Sequence, residues 1–174
     1  MYASPHITLE EWQKGQFSDI DIFEDQLQTW LFEQARAISA NQHSGPAILA
    51  LVSPYFEVIS SYLQGQSSKG AETVFLQKGL EEVLISVDAI AREAYIMEVR
   101  HGFAHEAMFR RVILHRASPG LPSFGMINGE LALDPWWVLD EAEAHFHSYV
   151  TRLRNNDPTV TQGFEAFMKI RKTR

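Results

Sequence analysis

The chain has 174 residues, 45% of them hydrophobic and 21% charged, with 22 acidic against 15 basic side chains and a net charge of -7. That is the length of one ordinary domain and a globular composition, which excludes a disordered or fibrous protein. The acidic balance excludes a protein that coats nucleic acid by bulk charge, though not a small site acting on RNA, and the lack of cysteine excludes disulfides, thiolate catalysis and Cys-based metal sites.

From the N-terminus, residues 1–11 contain no basic stretch followed by an apolar core, so no secretory signal is expected and a cytoplasmic location is. Thr8-Leu9-Glu10-Glu11 has capping-box spacing and predicts a short helix. An amphipathic helix is expected over about 22–39, with Phe23, Leu27, Trp30, Leu31, Ala35 and Ile38 on one stripe. After a loop at 40–45, residues 46–63 read as a more buried helix that Pro54 should kink or split. Its Ser53, Glu57, Ser60 and Ser61 fit a protein core better than a bilayer, so no membrane partner is expected.

Residues 65–70 read as a flexible connection and 71–76 as a short turn of helix. The clearest periodicity follows: Leu80, Val83, Leu84, Val87, Ile90, Ala91, Ala94 and Met97 predict one continuous central helix. Residues 109–116 are β-leaning, and 124–133 carry Asn128-Gly129 between apolar residues, a hairpin signal. Asp134-Pro135 and Asp157-Pro158 each supply an N-cap and a first-turn proline for two closing helices. The expected fold is therefore mainly all-α, one domain over 1–174 with a small β-hairpin inserted around 109–133.

The stretch that carries chemistry is Arg100-His101-Gly102-Phe103-Ala104-His105. On a continued central helix, Arg100 and His105 would stand about 7.5 Å apart along the axis and about 140° apart around it, flanking the stripe buried upstream. Burying an unpaired guanidinium is costly, so a helix that changes there from Ala and Met to Arg and His either reaches solvent or lines a polar pocket. Gly102 loosens the backbone between them and permits a tightened or broken turn. A purely structural alternative pairs Arg100 with Glu98 or Glu106 and leaves the histidines as helix-end residues.

Met97-Glu98-Val99-Arg100-His101-Gly102-Phe103-Ala104-His105-Glu106 resembles the signature of the HEPN superfamily: an Arg, four to six residues, then a His, on a late helix of a helical bundle. In that superfamily the residue after the Arg is often Asn, Asp or His, and His101 fits. The resemblance covers roughly residues 22–154. It implies a HEPN-like bundle, a homodimer setting two motifs around a shared cleft, and often a metal-independent endoribonuclease of a toxin–antitoxin, defence or RNA-processing system. Arg100 and His105 carry over as catalytic residues, with His101 and Glu106 supporting. RNA or nucleotide and an antitoxin protein are the implied partners, and no cofactor or metal is called for. Other HEPN domains only bind nucleotide, RNA or protein, which is the alternative function here.

Side chains of this kind suit RNA cleavage. An imidazole can take a proton from a ribose 2′-OH while a guanidinium stabilises charge developing on phosphate. Arg110, Arg111, His115 and Arg116 form a basic cluster, with Arg110, Arg111 and Arg116 as candidate RNA contacts; a charged strand edge that resists pairing is the other reading. His101 and His105 also have the i, i+4 spacing of a metal pair, without the glutamate of a His-Glu-x-x-His site. His145 and His147 are expected to face solvent, and of Trp136 and Trp137 one to pack and the other to border solvent or a dimer contact.

Overall fold

Side-chain caps start most of the helices. In the computed structural model, which describes residues 1–102, 109 and 111–173, Thr8 and Glu11 form a reciprocal capping box on α1 (Leu9–Gln13), and Ser18 and Asp21 do the same for α2 (Asp19–Leu27). The helix continues through a π-helical turn, Gln28–Phe32, into α3 (Glu33–Ile38). The expected stripe holds for Phe23 and Ala35, which are buried, but the π turn shifts the register and leaves Trp30 57% exposed.

Helix α4 (Gly45–Gln64) runs unbroken through Pro54, against the expected split. The Pro54 ring deprives the Ala50 carbonyl of its helical donor, and in the same turn Ser53 Oγ donates to the Leu49 carbonyl at 2.6 Å. By length and composition α4 is apolar enough to cross a membrane, yet 56% of that stretch is buried inside the fold. It ends on Gly65, whose φ of 64° gives the left-handed cap that a residue with a Cβ resists.

The expected short turn after Gly70 is a full helix, α5 (Glu72–Val83), packed closely on α4. The central helix is not continuous. Leu84 leaves helical geometry, residues 84–87 form a turn, and Asp88 accepts from the Ala91 N–H at 2.9 Å to cap α6 (Ala89–Ala94). Leu84 and Val87 are buried in that turn while Ile85 and Ile90 are exposed, so the apolar spacing belonged to two helices and a capped break. A second π-helical segment, Tyr95–His101, extends α6.

Strands β1 (Val112–Leu114), β2 (Phe124–Ile127) and β3 (Glu130–Leu133) form a sheet in the order β1-β3-β2. The expected hairpin is present, with Asn128 and Gly129 both at positive φ as a type I′ turn requires. The β-leaning segment adds a third strand, parallel to β3, with Val112 opposite Leu131. Asp134 and Asp157 cap α7 (Pro135–Arg154) and α8 (Pro158–Lys172) as expected. One core joins these layers, with Phe23 edge-on to Tyr62 at 4.5 Å and Tyr62 stacked on Phe164 at 5.3 Å.

Candidate functional site

Arg100 lies half-buried on the π-helical segment, where backbone bonds span five residues instead of four. That pitch brings Arg100 onto the side of Tyr95, five positions earlier. Tyr95 is fully buried between Phe56 and Phe124, and its hydroxyl lies 2.6 Å from Ser53 Oγ. Burial raises the Tyr95 pKa strongly, while the Ser53 hydrogen bond and the Arg100 charge oppose that rise.

Arg100 borders a cleft of about 260 Å³ whose other walls are Leu49, Ala50, Ser53 and Pro54 of α4, with Val99 and Phe109. It is mainly apolar, and Arg100 and Ser53 are its polar side chains. Such a cleft holds a cation where an oxyanion can approach in surroundings less screened than bulk water. Gly102 stays helical, with φ -57° and ψ -49°, so the chain does not break at that residue. His101 follows Arg100, half-buried. His105, Glu106 and Arg110 lie outside the described residues. Among the described residues no group of three His, Asp or Glu is placed to hold a metal ion.

Among the described residues of the basic cluster, Arg111 stands apart from His115 and Arg116, which line one cleft. Arg111 is exposed at the foot of β1, where its carbonyl accepts from the Leu131 N–H at 2.9 Å. Arg116 belongs to a different cleft, with its guanidinium carbon 4.6 Å from the centre of the Trp136 ring. Trp136 and Trp137 are both half-buried, so the expected division between them is not seen.

His145 corrects another expectation. It is largely buried, its Nδ1 2.7 Å from Tyr55 Oη and its Nε2 3.6 Å from Glu82 Oε1. Burial lowers its pKa, and Glu82 only partly offsets that. Tyr149 stacks on the imidazole, and its buried hydroxyl has no hydrogen-bond partner among the described residues. The signal was present in the sequence: His145 follows Ala142 by three and precedes Tyr149 by four, which puts it on the core stripe of α7. His147, two residues on, is exposed as expected. No protein-family model, curated protein or solved structure matches this chain, so its site stands on its own geometry.

Proposed function

We propose that the protein is a HEPN-like helical homodimer acting in the cytoplasm as a metal-independent endoribonuclease, with Arg100 and His105 as its reacting pair. The observation that carries this reading is the cleft itself, which Arg100 borders together with residues of α4, from a π-helical segment that ends at His101, with His105 five positions after Arg100 in the sequence. In the reaction His105 removes the proton from a ribose 2′-OH, and the 2′-oxygen attacks the adjacent phosphorus. Arg100 stabilises the charge that accumulates on the phosphoryl oxygens. The 5′-oxygen departs and takes up a proton, leaving a 2′,3′-cyclic phosphate and a 5′-OH. His101 and Glu106 support the pair, Arg110 and Arg111 contact the strand, and two copies share one cleft. The net charge of -7 fits a narrow substrate or an antitoxin-type partner better than broad RNA affinity.

The deciding experiment is cleavage of an RNA pool by purified protein in EDTA, with mass spectrometry of the product ends. Arg100→Ala and His105→Ala should each lower the rate by roughly two to four powers of ten. Cleavage lost to EDTA and restored by zinc would overturn the metal-free route. A protein that cuts nothing yet binds RNA through Arg100 is the binding module instead. If Arg100→Ala lowers only the melting temperature, Arg100 is a structural ion-pair residue.

A further inference from the structure

Along the face of α4 that carries the Arg100 cleft lies a second one, of about 280 Å³, bordered by His43, Pro46, Leu114, His115, Arg116 and Trp136. None of its lining residues is acidic, in a chain with 22 carboxylate side chains. Arg116 has no carboxylate partner among the described residues, and its guanidinium carbon sits over the Trp136 ring, 4.6 Å from its centre. A guanidinium held by a cation–π contact leaves N–H donors for a forked contact with an oxyanion.

Both halves of that pair are anchored. The Trp136 indole N–H donates to the Ser39 carbonyl at 2.8 Å. The buried Asp134 carboxylate accepts the Trp136 backbone N–H on one oxygen, at 2.9 Å, and the N–H of Ala117, next to Arg116, on the other, at 2.8 Å. Ala117 is held at φ 44°, a left-handed conformation that alanine disfavours, so the turn is fixed by its surroundings. His115 Nε2 lies 3.0 Å from the Pro122 carbonyl, which can only accept, and its Nδ1 takes the Ser118 N–H. His115 is therefore a wall, and Arg116 supplies the donors. Pro46 in this cleft and Ala50 in the first are four residues apart on α4, about 6 Å along the helix.

We infer that this second cleft binds a phosphodiester of the same RNA strand, close along the strand from the linkage at Arg100, with Arg116 as the phosphate ligand and Trp136 and Asp134 as positioning residues. The choice of an RNA strand rests on the proposed function; the preference for a phosphoryl oxyanion rests on the cleft. The probe is a fluorescently labelled, uncleavable 2′-O-methyl oligouridylate, read by anisotropy over a salt series so that binding is measured apart from cutting. Arg116→Ala, an exposed change that should leave the melting temperature unmoved, should weaken binding about tenfold or more and make the dependence of log affinity on log salt shallower by about 0.7. Arg116→Lys should recover the salt slope but only part of the affinity. Inorganic phosphate should shift the Trp136 indole N–H resonance and compete with the strand. Binding by Arg116→Ala equal to wild type, no binding of the strand at all, or binding of free phosphate without the strand would each overturn the inference. Arg116-dependent binding without cleavage of any RNA would remove the nuclease reading and leave this subsite standing.

Discussion

Ser53 shows how one small side chain couples the core to the cleft. Its hydroxyl has one proton, and the Leu49 carbonyl can only accept, so Ser53 donates to Leu49 and Tyr95 donates to Ser53. Tyr95 Oη then turns its lone pairs toward its other neighbours, Arg100 among the charges it feels. Ser53→Ala leaves the buried tyrosine hydroxyl without its acceptor and should cost about 1–3 kcal/mol. Tyr95→Phe removes the donor and leaves Ser53 bonded to Leu49. In urea denaturation the double variant should therefore lose clearly less than the sum of the single losses. Strict additivity would show that the two hydroxyls do not act as a unit. None of this was visible in sequence, where Ser53 was one polar residue among several on an apolar helix. Arg100 was visible, since a charge entering an apolar stripe must find a border. Met97 was misplaced: the π pitch carries it to 59% exposure, while Tyr95, Ile96 and Val99 take the buried face.

Local signals with a defined stereochemistry were the legible ones among the elements. The capping box at Thr8, the Asn128-Gly129 turn and the two Asp-Pro starts each satisfy particular backbone groups, and each begins or turns an element where expected, whereas the Ser18–Asp21 box, not among the expected signals, starts α2 at Asp19, ahead of the expected start near residue 22. Long apolar periods were less reliable, because Leu80 to Met97 keeps a helical spacing across a turn that Asp88 then re-caps. Close helix approach was also hidden. Gly79 looks like a weak point inside α5, yet a Cβ there would lie 1.7 Å from the Phe56 carbonyl oxygen of α4, and Gly163 on α8 meets the Leu63 carbonyl at 2.3 Å in the same way. On a solvent-facing helix Gly→Ala gains up to about 1 kcal/mol. Here the obstacle is backbone, and Gly79→Ala should destabilise by roughly 3 kcal/mol, the upper end of overpacking costs. A midpoint in urea equal to or above wild type would show that α4 and α5 can separate at little cost.

At the scale of the whole molecule, acidity tests how the fold distributes its histidines. His145 is held by Tyr55 of α4, faces Glu82 of α5 and lies near Arg152 and Tyr149 of its own helix. Its pKa is lowered in the folded state, chiefly by burial, from an ordinary 6.5. Below pH 6.5 the unfolded chain therefore takes up a proton that the folded chain refuses, and stability falls as pH drops toward the folded pKa. His6 works in the opposite sense, because its hydrogen bond to Asp25, with that carboxylate's charge, raises its pKa. Its contribution is fully present below 6.5 and is lost as pH rises through the raised value. The depressed carboxylates, such as Asp157 at about 2 and Asp25, act only at lower pH, as the fold approaches their unfolded range. Melting temperatures between about pH 7 and pH 5 thus isolate the histidines. His145→Asn should start from a lower melting temperature, since Tyr55 loses its partner, but should decline less toward pH 5 than wild type. His6→Ala should decline more steeply. If both variants keep the wild-type slope, neither histidine is linked to folding, and the Tyr55–His145–Glu82 contact does not hold a neutral imidazole in the core.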